Sequence, residues 1–235
     1  AVDACSWIAM LSALQVLRTK IPEGGGWKSV SIESLREGFR FVWSHGVIFP
    51  LMLLDFSATF FGNARGLFPI FARDILFVGP KGLGLLYAAR AVGSLLAAVG
   101  MTVLGPVRRA GRWIIIGIGL YGLSTALFAQ SRLFWFSVLM LALTGAGDTV
   151  SSILRSTINQ LSTPDELRGR MSSINSIFTS NGPQLGQFES GLVAAWLGAE
   201  ISALTGGLAT LIIVAIIAAA FPVVRRFQIQ HAKQE

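Results

Sequence analysis

Six stretches of this 235-residue chain are apolar for about the length needed to cross a lipid bilayer, and nothing else limits its possible folds as strongly. Spanning ~30 Å of hydrocarbon takes about 20 mostly apolar residues at 1.5 Å each. The stretches are 46–65, 82–104, 113–130, 133–155, 171–198 and 201–224. The fifth is the weakest, because Ser, Asn, Gln and Gly interrupt it throughout.

The composition agrees. Hydrophobic residues make up 53% of the chain and charged residues 13%, where soluble domains carry about 25% charged residues. A soluble globule of this size would lack the polar groups to coat itself, whereas one solvated by lipid needs fewer. The single cysteine, Cys5, excludes an internal disulfide and reads as a small buried apolar residue. A net charge of +7 could suit nucleic acid, but no basic face or nucleic-acid motif accompanies it. The charges fall in short clusters between apolar runs, as expected of loops anchored at a lipid surface.

Those clusters set the orientation. Arg18, Lys20, Lys28, Arg36, Arg40, Arg108, Arg109, Arg112, Arg155, Arg168, Arg170, Arg225, Arg226 and Lys233 flank one side. Only Arg65, Arg73, Lys81 and Arg132 flank the other. The positive-inside rule puts the richer side, and both ends of the six-helix block, in the cytoplasm. The expected location is the plasma (inner) membrane, with multiple passes.

Before the first span, residues 1–17 are apolar but short, with Asp3 near the start. They lack a basic leader and a cleavage site, and read as the end of a transmembrane helix whose beginning is absent. Residues 18–45 form a cytoplasmic loop, in which Ile32, Leu35, Phe39, Val42 and Trp43 recur at helical spacing opposite Glu33, Arg36, Glu37 and Arg40. That is an amphipathic helix lying along the inner surface. Residues 46–224 are the six-helix bundle and 225–235 a cytoplasmic tail.

Two cytoplasmic loops are more specific: Gly105-Pro106-Val107-Arg108-Arg109-Ala110-Gly111-Arg112 and Thr163-Pro164-Asp165-Glu166-Leu167-Arg168-Gly169-Arg170. Taken alone, each is an inner-surface anchor or a helix-end clamp, since arginines flanking a glycine bond exposed carbonyls and carboxylates. Together they resemble the major facilitator superfamily of transporters. Arg109-Ala110-Gly111-Arg112 resembles the end of that superfamily's Asp-Arg-x-Gly-Arg loop. Gly147-Asp148, Arg155-Ser156-Thr157, the run from Gln160 to Arg170, Asn175-Ser176-Ile177-Phe178 and the run from Gln184 to Gly191 resemble its enterobactin-exporter-like branch. Arg108 stands where the signature loop carries its aspartate, so that acid's charge-relay role does not transfer.

The resemblance implies an all-α membrane protein, with six transmembrane helices forming the C-terminal half of a major-facilitator fold. It implies a secondary active, proton-coupled exporter of small molecules working by alternating access. The implied partners are the lipid bilayer, a missing N-terminal six-helix half, a small-molecule substrate and protons. The competing reading is a non-transporting membrane subunit or scaffold derived from a transporter half.

Charges within the spans are the candidate pathway residues, since each costs about 2.5 to 3.5 kcal/mol at the bilayer centre. Counting from the span ends puts Asp55 and Arg90 both near the midplane, on consecutive helices, so they are expected to pair or else to face polar crevices separately. Asp148, Ser151, Ser152, Arg155 and Asn159 form a polar feature, in which 148, 152, 155 and 159 recur at spacings of four, three and four and so share one helical face. Arg155, close to the cytoplasmic end, either snorkels to the headgroups or joins a gate, and Asp148 is the preferred gate residue. Asn63, Gln184 and Glu189 complete the pathway candidates, Glu189 also fitting an interfacial carboxylate. Arg109, Gly111, Arg112, Arg155, Asp165, Arg168, Gly169 and Arg170 carry the loop and gate motifs. Arg168 and Arg170 would hold the gate closed, with Asp148 one possible partner. No metal-ligand cluster, catalytic set or cofactor-binding loop is present in the sequence, so no enzyme activity or cofactor is expected.

Overall fold

The computed structural model describes residues 40, 42–43, 46–105, 107–164 and 167–227. The expected truncated helix, almost all of the amphipathic helix, Asp165, and the tail beyond Phe227 lie outside these residues.

Inside hydrocarbon a backbone has no water to bond, so an apolar chain satisfies its own N–H and C=O groups by forming helices. Among the described residues six principal helices result: α1 Ile48–Phe61, α2 Gly79–Leu104, α3 Ala110–Ala129, α4 Phe134–Ser162, α5 Arg168–Leu197 and α6 Ala199–Ala220. No strand occurs among the described residues. Between α1 and α2 the chain winds through short 3₁₀, α and π turns over 64–75, and a five-residue helix, Pro222–Arg226, follows α6.

Four of the helices, α2, α3, α4 and α6, are both long enough and apolar enough to cross a membrane. The two exceptions have physical reasons. At 14 residues, α1 rises roughly 21 Å, short of the ~30 Å needed, before bending at Gly62. With 30 residues α5 has length to spare, but the polar residues noted above hold down its apolarity. The chain is thus an all-helical, multi-pass membrane protein.

Helix ends follow local chemistry. Gly105 ends α2 at φ 68°, and Gly198 alone separates α5 from α6 at φ 91°, a left-handed conformation that glycine adopts without penalty. The fourth helix runs to Ser162, seven residues beyond the expected end at Arg155. Ser156, Thr157, Asn159 and Gln160 have ordinary helix competence when their helix packs, and Thr163-Pro164 supplies the stop.

The helices pack around α3, which lies against α4 and α6, while α2 packs on α4, and α5 on α1 and α6. Among the described residues a small apolar cluster joins Ile48 and Met52 of α1 to Met171 and Ile174 of α5, and two larger clusters form beside it. One, toward the arginine-rich loops, gathers Leu51, Leu54, Ile114, Ile118, Leu154, Ile158, Val214 and Ile217. The other, toward the opposite end, gathers Phe68, Phe71, Leu86, Phe128, Met140 and Leu141. There Arg132 and Glu200 pair at 2.6 Å, tying the α3–α4 turn to the start of α6. The outer surface exposes Leu96, Val99, Val103, Leu139, Phe188 and Ile212. This would be a liability in water but is the lipid-facing norm. Trp113, Trp135 and Trp196 are also exposed and sit near helix ends, where amphipathic rings favour the membrane interface.

Candidate functional site

The site is built on α4. Its spacing of three and four brings Asp148, Ser151, Arg155 and Asn159 to one side, facing α1 and α2. Glycines decide how closely those neighbours approach. A Cβ on Gly145 would strike the Arg90 carbonyl, and one on Gly93 would strike the backbone of Ala142, so α2 and α4 meet nearly backbone to backbone. Gly117 and Gly147 do the same where α3 crosses α4. Small residues are the usual means of close helix packing in membranes. Ser94 Oγ donates to the Gly145 carbonyl at 3.1 Å and fixes the α2–α4 register.

Within that frame two ion pairs form. Arg155 Nη2 donates to Asp55 Oδ1 at 2.5 Å, joining α4 to α1. Arg90 Nη2 donates to Asp148 Oδ2 at 2.9 Å, joining α2 to α4. The expected Asp55–Arg90 pair is therefore replaced by two others, each with one partner on α4. Residue counting gives depth along a helix but not which way a side chain turns, and α4 lies within reach of both. Arg155 does not snorkel: it is 7% exposed, because α4 continues for about two turns past it.

The Ser151 hydroxyl accepts from Arg155 Nη1 at 3.1 Å and donates to the backbone carbonyl of Asp148 at 3.0 Å. The Arg90 guanidinium also lies 5.7 Å from the centroid of the Tyr121 ring, a cation–π arrangement. Asp148 sits at the middle of α4, roughly 21 Å from its end at Ser162, and is bonded to Arg90. That position lies well inside the bundle, away from the loop that carries Arg168 and Arg170.

The Asp55–Arg155 pair borders a polar crevice of about 150 Å³ between α1, α4 and α5. Ser152, Ser156, Asn159, Asn175 and Thr179 line it together with Leu51 and Met52. Asn159 Oδ1 is buried there and is the one buried side-chain polar atom without a hydrogen-bond partner among the described residues. An unmatched acceptor beside a carboxylate and a guanidinium gives the crevice the means to bind a polar group.

Other candidates sit elsewhere. Asn63 Nδ2 donates to the Pro183 carbonyl at 2.9 Å, tying the end of α1 to the proline inside α5. That contact between distant segments carries no sequence signal. Gln184 is exposed on α5 and Glu189 half-buried on it. Arg109, Gly111 and Arg112 lie at the start of α3, and Arg168, Gly169 and Arg170 open α5. Ser151, part of the polar feature read from the sequence, is a partner of Arg155, whereas the contact of Tyr121 with Arg90 was not foreseen.

Helices exposing an apolar belt while burying paired charges define a polytopic membrane protein with a polar crevice inside it. A family model described as transmembrane secretion effector matches residues 1–234. The chain belongs to that family, within the major facilitator superfamily, which is a family of transporters rather than enzymes. It is 28% identical over 197 residues to the enterobactin exporter EntS of Escherichia coli O81 (strain ED1a), covering 84% of this chain and 47% of the relative. The same figures hold for enterobactin exporters of Shigella boydii serotype 18 and Escherichia fergusonii. The chain thus spans about half the length of the curated relatives it matches. No solved structure matches it.

Proposed function

We propose that this chain forms the C-terminal half of a proton-coupled exporter of small molecules, working by alternating access in the plasma membrane with both ends of its six spans cytoplasmic. The observation that carries the reading is the buried Asp55–Arg155 pair bordering a polar crevice in an otherwise apolar bundle. Charges at such depth are costly and mark transport routes.

The surface of α5 supports it. Ser173, Ser176, Ser180, Gln184 and Gln187 are all exposed and follow helical spacing along one ridge. A ridge this polar is unsuited to lipid and fits an aqueous cavity shared with an opposing N-terminal half, where such transporters hold their cargo. Asp55, Asp148 and Glu189 are the carboxylates placed to carry protons. Arg155 and Arg90 hold two of them by ion pairs, which protonation of the acid would release.

The test joins this chain to its N-terminal half in cells lacking their own exporter and follows release of enterobactin, the cargo named for the relatives. Release above that of cells with an empty vector supports export, and no excess rejects that cargo. Release that persists unchanged after collapse of the proton gradient rejects the coupling.

A further inference from the structure

A second cleft, of about 330 Å³, lies between the end of α2 and the start of α3, far from the ion pairs of α4. It is lined by Met101, Leu104, Val107, Arg108, Arg109 and Trp113. Its chemistry is divided, with apolar side chains on one part and two guanidinium groups with an indole on the other.

Arg108, Arg109 and Arg112 are all exposed. None joins any of the four ion pairs among the described residues. Gly111 packs against the backbone of Val224 and Arg225, and its N–H donates to the Phe227 carbonyl at 3.4 Å, which brings the Arg225 backbone beside the cluster. No carboxylate of the described residues balances these charges. From the cleft an apolar strip continues along the outside of α2 through Val103, Val99, Leu96 and Val92, all more than half exposed.

We infer that this cleft binds an anionic glycerophospholipid, with its phosphate on Arg108 and Arg109 and an acyl chain along the α2 strip. The two halves of the site argue for one amphiphile. Guanidinium groups bind phosphate through paired N–H donors, and basic recesses between helices at a membrane surface suit anionic headgroups. A free phosphate would use the arginines and leave the strip idle. A neutral lipid would use the strip and leave the arginines unbalanced. Trp113 at the rim suits the interfacial depth such a headgroup occupies. The inference rests on the chain lying in a membrane, not on its exporting anything.

The test uses the full 235-residue chain in detergent, with native mass spectrometry after adding phosphatidylglycerol, phosphatidylcholine or inorganic phosphate. Retention of phosphatidylglycerol over phosphatidylcholine is expected. The triple variant Arg108→Ala, Arg109→Ala, Arg112→Ala should weaken it on the order of a hundredfold, each surface arginine supplying about fivefold. Arg73→Ala, an exposed arginine at the other end, should change nothing. Equal retention of the two lipids, displacement by phosphate alone, or an equal loss with Arg73→Ala overturns the site. Should the triple variant fail to fold, the unsubstituted chain decides. Phosphatidylglycerol brominated on its acyl chain should quench the part of the fluorescence that Trp113→Phe removes, more than brominated phosphatidylcholine does. Equal quenching refutes the inference.

Discussion

Asparagine at position 55 leaves the Arg155 guanidinium buried between α1 and α4 without a counter-charge, bonded at most to neutral acceptors such as Ser151. Both side chains of the pair are nearly sealed, with 8% of Arg155 and 12% of Asp55 exposed, so solvent screens the lost interaction little. Removing one member of a buried pair costs roughly 3 to 5 kcal/mol, most of it from stranding the other charge. Asp55→Asn and Arg155→Met should each cost about 3 kcal/mol. The double variant strands no charge and should fall well short of their sum, giving a coupling of about 2 to 3 kcal/mol. Asp55→Asn with Arg90→Met supplies the contrast, because those two residues share no contact and their effects should add to within about 0.5 kcal/mol. Arg90 and Asp148 are 22% and 35% exposed, so their own coupling should be smaller, about 1 kcal/mol, after discounting for screening. The assay is reversible unfolding in mixed micelles, followed by helical circular dichroism across the three cycles. A large coupling for Asp55 with Arg90, and none with Arg155, would refute the assignment of partners.

Gly145→Val drives a side chain into the Arg90 carbonyl and should cost about 1 to 3 kcal/mol as overpacking, read as a lower unfolding midpoint; an unchanged midpoint means α2 and α4 are less tightly apposed than described. In the complete transporter, Arg168→Ala or Arg170→Ala should raise the inward-open population roughly tenfold or more, if each supplies ~1.5 kcal/mol or more of charge-assisted bonding. A cysteine replacing Ser152 would report this by its labelling rate from the cytoplasm, and rates equal to those of the parent protein remove the gate role. For topology, a cysteine in the Arg132 turn should label from outside intact cells, whereas labelling of Lys28→Cys from outside would invert the orientation.

Much of the fold is legible because bilayer thickness sets the length of an apolar run, so the helix ends of the bundle fall near their expected places except at the end of α4, which runs seven residues further. The polar face of α4 was equally plain, since its period is that of the helix. What sequence did not give was rotation. Asp55 and Arg90 were assigned similar depths, yet α4 supplies a partner to each. The burial of Arg155 was hidden for a related reason: the apolar run ends near it, although α4 continues to Ser162. The Asn63–Pro183 bond joins residues far apart in the chain, and no local pattern announces it.

The one-residue connection at Gly198 has a mechanical consequence. A linker that short has no slack, so α5 and α6 cannot slide past one another or separate at that end. The Arg132–Glu200 pair clamps the same end to the α3–α4 turn. Within α5 the backbone is weakest at the proline at 183, where no N–H bridges to the carbonyl one turn back. Near its start the helix is held as well, because Met171 and Ile174 are buried against Ile48 and Met52 of α1, so α5 is tied at its beginning, at Asn63 and at Gly198, and a displacement of either end must carry α1 or α6 with it.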